Sequence, residues 1–134
     1  MKSIFKHTPV TEILTCQESI TIRDGLYDWI ENRKYRNPDD SLAKFAESLG
    51  VTAAQISEYL RRNMKISYNE LRCVWRIKDA SLFLLILPDE PVRKIADMVG
   101  FSNIIEFFRH FFRLLHYSPV GWRRHHILRN RKRE

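Results

Sequence analysis

The chain has 134 residues, 44% of them hydrophobic, and carries a formal net charge of +7 with an isoelectric point near 9.7. This length suffices for one domain with its own core, and the basic charge favours a polyanionic partner, either nucleic acid or an acidic membrane surface. The longest apolar run, 82–87, is too short to span a bilayer, and the first ten residues contain no signal-peptide core. Together with two distant cysteines, these features predict a cytoplasmic protein without membrane insertion or disulfides.

The predicted elements are all helical. Residues 1–19 show no clear period and are interpreted as a linker or a frayed N-terminal segment. From Ile22 the apolar spacing becomes helical, and it continues to about Asn37-Pro38. Further helices are predicted after capping residues or between Gly and Pro breaks, over 42–49, 53–62, 69–87, 92–99 and 103–115, with a last short helix from Ser118. Because the sequence contains no alternating strand pattern, the predicted fold class is all-α.

Two segments of the chain repeat one another. Residues 41–52, SLAKFAESLGVT, align with residues 91–102, PVRKIADMVGFS, at an offset of 50. In both copies an alanine lies four residues before a glycine, as in Ala46 and Gly50, which lets a second helix pack closely after a tight turn. This arrangement is typical of a helix-turn-helix unit, whose second helix is presented to a DNA major groove. Small helical bundles use similar turns, but two copies joined by a helix favour DNA binding.

The sequence resembles the AraC/XylS family of transcription regulators over residues 20–125, the whole of that family's DNA-binding module. The family signature has I-A, V-G-F-S, F-x-R-x-F, and S-P followed by an aromatic residue and Arg. These motifs fall on 95–96, 99–102, 107–111, 118–119 and 122–123, and the joining helix matches at Arg76-Ile77 and Ala80.

The resemblance implies two helix-turn-helix subdomains joined by a central linker helix. The first motif covers 41–62, the linker helix 69–87 and the second motif 91–115, and residues 126–134 form a basic C-terminal tail. Two recognition helices would enter successive major grooves, which are roughly 34 Å apart. A joining helix of about 18 residues, at about 1.5 Å per residue, has a compatible length of about 27 Å.

The second motif is expected to supply most DNA contacts, with Arg109 as the leading candidate for a phosphate or a guanine. Ile104 and Ile105 stand where the family usually has polar residues, so they are expected to contact thymine methyl groups, to extend the core or to bind another protein surface. A helical wheel places Phe108 in the core-facing arc and Phe112 between the faces. The predicted DNA-binding residues of this motif are Ser102, Asn103, Ile104, Ile105, Glu106, Arg109 and Arg113.

The first motif is a weaker candidate, because the charges over 40–63 cancel and Glu58 stands where the family often has Arg. Its predicted contacts are equally consistent with a solvated helix. Those residues are Thr52, Ala54, Gln55, Ser57, Glu58, Arg61 and Arg62. In the C-terminal segment, Arg123 and Arg124 are expected to support phosphate binding. Lys65 and His116 replace the glycine that usually closes each recognition helix, which predicts reshaped or strained turns.

The predicted function is a sequence-specific, DNA-binding transcription regulator of the AraC type. The alternative is a degenerate helix-turn-helix module used for protein–protein interaction, with weak nonspecific DNA binding; a peripheral membrane module is a distant third. Catalysis, cofactors and metal are not expected, because the sequence contains no nucleophile motif, paired carboxylates, phosphate loop or ligand spacing among its histidines. The expected partners are double-stranded DNA, an upstream sensor or dimerisation domain of a longer protein, and a second copy in a homodimer. The alternative to a fragment of a longer protein is that the chain is a free-standing regulator.

Overall fold

The structure is a computed structural model that describes the backbone of residues 14–133 and the side chains of residues 14–129. The described residues form seven α-helices and contain no strand, which confirms the all-α prediction. The α-helices are α1 (Cys16–Glu31), α2 (Leu42–Leu49), α3 (Ala53–Met64), α4 (Tyr68–Ile86), α5 (Val92–Met98), α6 (Ile104–Leu115) and α7 (Pro119–Arg133), with a 3-10 turn at Lys34–Arg36 between α1 and α2.

The described chain divides into two compact units. Unit 1 comprises residues 14–34 and 39–71, and unit 2 comprises residues 35–38 and 72–133. Helix α4 therefore contributes its first turn to unit 1 and the remainder to unit 2. Each unit contains one copy of the sequence repeat, α2 and α3 in unit 1 and α5 and α6 in unit 2.

Unit 1 packs α1, α2 and α3 around an aromatic cluster. The ring of Trp29 lies 6.1 Å from that of Phe45 and 5.4 Å from that of Tyr68. Asp40 satisfies the polar atoms at the edge of this cluster, because it accepts hydrogen bonds from Trp29 Nε1 at 3.3 Å and from the Tyr68 hydroxyl at 2.6 Å. The cluster thereby fixes α2, which in turn supports α3.

Helix α1 begins inside the segment that the sequence interpretation assigned to a linker. Thr15 and Glu18 form a reciprocal capping box, in which Thr15 Oγ1 accepts from Glu18 N and Glu18 Oε2 accepts from Thr15 N. This pair satisfies two backbone donors and starts the helix at Cys16. The remainder of that predicted linker, 1–13, lies outside the described residues.

Unit 2 packs α5, α6 and α7 against α4. Its core consists of Cys73, Ile77, Ala80, Leu84, Ile95, Ala96, Val99, Phe101, Phe107 and Phe111. Residues 35–38 also belong to this unit, where the Tyr35 hydroxyl and Arg36 Nε both donate to Asp79, the latter at 2.8 Å. Arg76 donates to the carbonyl oxygens of Tyr35 and Asn37 at 2.6 and 2.8 Å. The 35–38 segment is thus held to α4 by satisfied polar contacts.

Helix α7 is longer than predicted. The sequence indicated a short helix followed by a tail at 126–134, but the helix continues to Arg133. Trp122 anchors it, because its ring packs edge-on against Phe111 with a centroid separation of 6.1 Å and its Nε1 donates to Ser81 O at 3.0 Å. Since no Gly or Pro follows Gly121, nothing in the sequence ends the helix earlier.

The two turns of the repeat have the same backbone hydrogen bonds. Val51 N donates to Ala46 O at 3.1 Å in unit 1, and Phe101 N donates to Ala96 O at 3.0 Å in unit 2. Both glycines have positive φ angles, +70° at Gly50 and +108° at Gly100. The internal repeat therefore corresponds to two copies of one helix-turn-helix structure.

The second helix of each repeat, α3 in unit 1 and α6 in unit 2, ends in the left-handed conformation without glycine. Lys65 has φ 54° and His116 has φ 61°, so neither turn is reshaped to avoid the replacement. Replacing His116 with Gly is expected to raise the free energy of unfolding by about 1 kcal/mol, because a Cβ disfavours this region. Chemical denaturation measures the effect. His116→Ala, which keeps the Cβ, is the matched control, and an equal gain from both variants would contradict the explanation.

Candidate nucleic-acid interface

The charge of the protein is concentrated in unit 2. Over the described residues, unit 1 has 7 Lys and Arg against 9 Asp and Glu, a net charge of −2, whereas unit 2 has 14 against 5, a net charge of +9. Because a polyanion is attracted by net positive charge, unit 2 is the more favourable of the two units for contact with a nucleic acid.

Helix α6 buries one face and exposes the other. Phe107 and Phe111 are fully buried in the unit 2 core. On the opposite side lies Arg109, whose guanidinium is exposed and pairs with the Glu106 carboxylate at 3.2 Å. Such an exposed pair contributes little stability, so Arg109 can exchange it for an external anion.

The other predicted cation of α6, Arg113, is exposed, but its guanidinium contacts two other side chains of unit 2. Its Nη2 lies 3.0 Å from His110 Nδ1 and 3.8 Å from Cys73 Sγ. At the start of the helix Ser102 is exposed, whereas Asn103 is the N-cap, with its Oδ1 accepting from Ile105 N at 2.8 Å. The side-chain oxygen of Asn103 is therefore already used to cap the helix.

Three apolar side chains form a stripe along the exposed face of α6. Ile105 is 71% exposed, Phe108 44% and Phe112 60%. They are three and four residues apart, so they lie one above the other on the helix. The placement of Phe108 in the core-facing arc was wrong, since Phe107 and Phe111 already fill that side. Ile104 was predicted either to contact DNA or to extend the core, and it is half-buried and packs against the unit 2 core.

In the first motif the predicted residues divide into exposed and committed groups. Thr52, Ala54 and Ser57 are exposed near the start of α3. Gln55 forms a capping box with Thr52, in which its Oε1 accepts from Thr52 N at 2.8 Å. Thr52 Oγ1 in turn accepts from Gln55 N at 3.1 Å, so both residues stabilise the helix start, while Ala54 and Ser57 remain on the accessible end of α3.

Glu58 does not lie on the exposed face of α3, contrary to expectation. Its side chain is only 4% exposed and accepts from Arg61 Nη2 at 2.6 Å and Nε at 3.0 Å. Arg62 Nε lies 3.8 Å from the same carboxylate. The hydrogen bonds from Arg61 lower the pKa of Glu58 below its usual value. Glu58 therefore holds Arg61 and Arg62 in place, and its charge is neutralised locally.

Arg61 also lines an open cleft at the end of α3. The other lining residues are Ser57, Lys65, Ile66 and Ser67. Two cationic side chains and two hydroxyl groups at one helix end suit contact with a phosphate backbone. Lys65 was noted in the sequence only for its backbone conformation, and no pattern in the sequence indicated that it joins this cleft.

Arg123 has a structural role that the sequence did not reveal. Its Nε donates to Leu84 O at 2.8 Å, and its Nη2 donates to Leu87 O at 3.1 Å and Glu90 O at 2.8 Å. These carbonyls lie at and beyond the C-terminus of α4, where backbone acceptors lack partners within the helix. Arg123 thus caps α4, and its neighbour Arg124 is the exposed one of the two.

His126 on α7 is expected to make stability depend on pH. The centre of its ring lies 4.0 Å from that of Trp122, with the two planes tilted, and its buried Nε2 has no hydrogen-bond partner among the described residues. Burial, with His125 and Arg129 nearby, lowers the pKa of His126 below its usual 6.5. As pH falls, the unfolded chain therefore binds a proton at His126 before the folded chain does. The free energy of unfolding keeps its full value above about pH 6.5 and decreases as pH falls further. Denaturation at pH 7.5 and 5.5 should show a smaller drop for His126→Leu than for the wild type; equal drops would contradict this.

No helix of the described chain is both long and apolar enough to cross a membrane. Over the same residues no group of three or more His, Cys, Asp or Glu side chains is arranged to hold a metal ion. The accessible features of the site are instead cations, hydroxyl groups and the apolar stripe, presented on two helices that each follow a tight turn.

Comparisons with known proteins agree with this geometry. The model of a helix-turn-helix domain family matches residues 45–125. The C-terminal domain of AraT, a response regulator from Geobacillus stearothermophilus, is 27% identical and superposes with a TM-score of 0.70, covering 78% of this chain and 84% of that one. The C-terminal domain of the two-component response regulator YesN from Fusobacterium nucleatum shares the fold, with 23% identity, a TM-score of 0.66 and coverages of 73% and 97%.

A protein of unknown function from Listeria innocua also shares the fold, with 19% identity, a TM-score of 0.69 and coverages of 77% and 94%. No curated protein sequence matches the chain. The architecture is that of a double helix-turn-helix domain. The chain belongs to the AraC-type helix-turn-helix family, which indicates DNA binding in transcription regulation. Domains of this family are typically not enzymes.

Proposed function

We propose that the chain is a sequence-specific transcription regulator that inserts α3 and α6 into successive major grooves of one duplex. The observation that carries this proposal is the net charge of +9 on unit 2, combined with Arg109 on the exposed face of α6. A recognition helix reads base edges with its exposed face, while cations around it contact phosphates.

The two motifs contribute differently in this proposal. Unit 2 provides most of the affinity, with Ser102, Ile105, Glu106, Arg109, Arg113 and Arg124 facing the duplex. Unit 1, with its net charge of −2, positions α3 through Thr52, Ala54, Ser57, Arg61 and Arg62. Glu58 and Arg123 act within the fold, because their charged groups already have partners.

The insertion of both helices is tested with duplexes selected from a randomised library. Two half-sites about one helical turn apart are expected, since successive major grooves on one face have that spacing. Inserting five base pairs between them rotates one half-site to the opposite face and should lower affinity at least tenfold. Inserting ten base pairs returns both half-sites to the same face of the duplex, so it tests the effect of their separation apart from that of their rotation. Unchanged affinity after the five-base-pair insertion would show that only one motif reads DNA.

The second candidate function is protein–protein interaction, favoured by the exposed apolar stripe of α6. If that function were correct, Ile105→Asp would abolish self-association in sedimentation experiments while weak DNA binding persisted. Loss of selected-duplex binding in the same variant, with the protein monomeric before and after, would favour DNA reading instead.

AraT and YesN are response regulators whose C-terminal domains resemble this chain. We propose that this domain likewise acts in the cytoplasm beside a sensing or dimerising domain, and that a homodimer binds its operator. Native mass spectrometry of the protein with and without a selected duplex tests the dimer.

A further inference from the structure

The stripe of Ile105, Phe108 and Phe112 lies outside the buried core of unit 2. The buried side of α6 is already filled by Phe107 and Phe111, both fully inaccessible. The three stripe residues instead expose between 44% and 71% of their surface along one line. Contiguous exposed apolar surface of this kind marks a binding site.

The polar groups beside the stripe have partners within the protein, of which the Glu106–Arg109 pair is exposed and exchangeable. Glu106 and Arg109 pair with each other at 3.2 Å, and Asn103 Oδ1 caps the helix. Arg113 lies beside His110 and Cys73. The exposed surface of the stripe itself is hydrocarbon, which cannot hydrogen-bond to base edges.

A major groove offers one hydrocarbon group for such a surface, the C5 methyl of thymine. We propose that the stripe of α6 recognises thymine methyl groups, so that specificity at this half-site comes from apolar contact. This inference rests on the proposed DNA-binding function. Ile105 to Phe112 spans about 10 Å at about 1.5 Å per residue, which corresponds to about three base-pair steps of about 3.4 Å. The predicted half-site is a run of about three A·T pairs.

Charge favours DNA over the alternative occupants of this surface. Arg109 follows Ile105 by one helical turn on the same face, and the whole of unit 2 carries a net charge of +9. A second copy of the chain would bring an equally positive surface against the stripe, and the like charges would repel. A duplex supplies negative phosphates around a groove whose floor presents methyl groups.

The experiment replaces thymine by deoxyuridine in duplexes selected from a randomised library. Deoxyuridine keeps every hydrogen-bonding group and lacks only the methyl group, so affinity should fall about fourfold at each contacted position. That factor corresponds to about 0.8 kcal/mol, the value of one buried methyl group. Cytosine and 5-methylcytosine are then compared at the same positions, and the methylated base should bind more tightly.

Protein variants connect the methyl group to the stripe. In Ile105→Ala, the ratio of the affinities for the thymine and deoxyuridine duplexes should fall from about four towards one at the position that Ile105 contacts. A double-mutant cycle measures this change. Leu82→Ala is the matched control, because Leu82 is an exposed apolar residue of α4 at 53% exposure. That variant should retain the full fourfold penalty, and circular dichroism verifies that both variants are folded.

The outcomes separate the two proposals. A deoxyuridine penalty that disappears in Ile105→Ala supports thymine recognition by the stripe. Tight binding of selected duplexes with no deoxyuridine penalty, or with a penalty unchanged in both Ile105→Ala and Phe108→Ala, overturns it and leaves the DNA-binding function standing. Failure to bind any duplex overturns both proposals and directs attention to a protein partner.

Discussion

Replacing Gly100 with alanine is expected to destabilise unit 2 by about 3 kcal/mol or more. Gly100 has φ +108°, where an L side chain is strained. An added Cβ would lie 2.6 Å from Arg36 O and 2.8 Å from Arg76 Nε, and the side chains of Arg36 and Arg76 both belong to the network that ties residues 35–38 to α4. Backbone cannot move aside as a flexible side chain can, so strain and steric overlap add.

Gly50 offers a matched control because it occupies the same position in the first copy of the repeat. Its φ is +70°, but a Cβ there would meet nothing within 4 Å. Gly50→Ala should therefore cost only the conformational strain, about 1–2 kcal/mol. Chemical denaturation of both variants gives the comparison. Equal losses would contradict the argument that the backbone of Arg36 closes the space around Gly100.

Replacing Arg109 with alanine is expected to lower affinity for duplex DNA about tenfold, equivalent to about 1.4 kcal/mol. Arg109 is the cation nearest the centre of the exposed face of α6, and its partner Glu106 would remain as an unpaired negative charge near phosphates. The magnitude of the logarithmic salt slope should also fall by about one, because one phosphate or base contact is lost. Fluorescence anisotropy at several salt concentrations measures both quantities.

Arg23 is the matched control for Arg109. It is a surface arginine of unit 1, and it likewise pairs with a nearby carboxylate, that of Asp24, at 3.3 Å. Arg23→Ala removes the same charge from a helix with no proposed DNA contact, so affinity should change less than twofold. Equal losses in both variants would indicate a general effect of net charge and count against a specific role for Arg109.

Most of the fold could be predicted from the sequence because its helices have strong local signals. Capping residues such as Ser41 and Thr52, the glycines of the two turns and the 50-residue repeat place α2 to α6 within a few residues of their observed bounds. The start of α1 was missed because the Thr15–Glu18 capping box precedes the apolar period. The extent of α7 was missed because its anchors, Trp122 and Arg123, act through contacts with α4.

The candidate site was less predictable, since the role of a charged residue depends on its tertiary partners. Arg123 resembles a phosphate-binding residue in sequence, but it caps the carbonyls of α4. Glu58 resembles a surface charge, but it is buried beneath Arg61. Phe108 belongs to the core by periodicity, and only the filling of the core by Phe107 and Phe111 leaves it exposed. Periodicity identifies a face of a helix, whereas packing decides which residues on that face are accessible.

The most direct test of DNA binding by the helical motifs is a titration with random-sequence duplex DNA at several salt concentrations. The wild type is compared with a variant in which Arg131, Lys132 and Arg133 are replaced by Gln, which spares Trp122 and Arg123 in the core and cap of unit 2. We expect binding with a logarithmic salt slope steeper than about −3, only partly reduced in the variant, because at least three phosphate contacts come from the two helix-turn-helix motifs. No binding, or binding that disappears with the three terminal charges, would contradict the account.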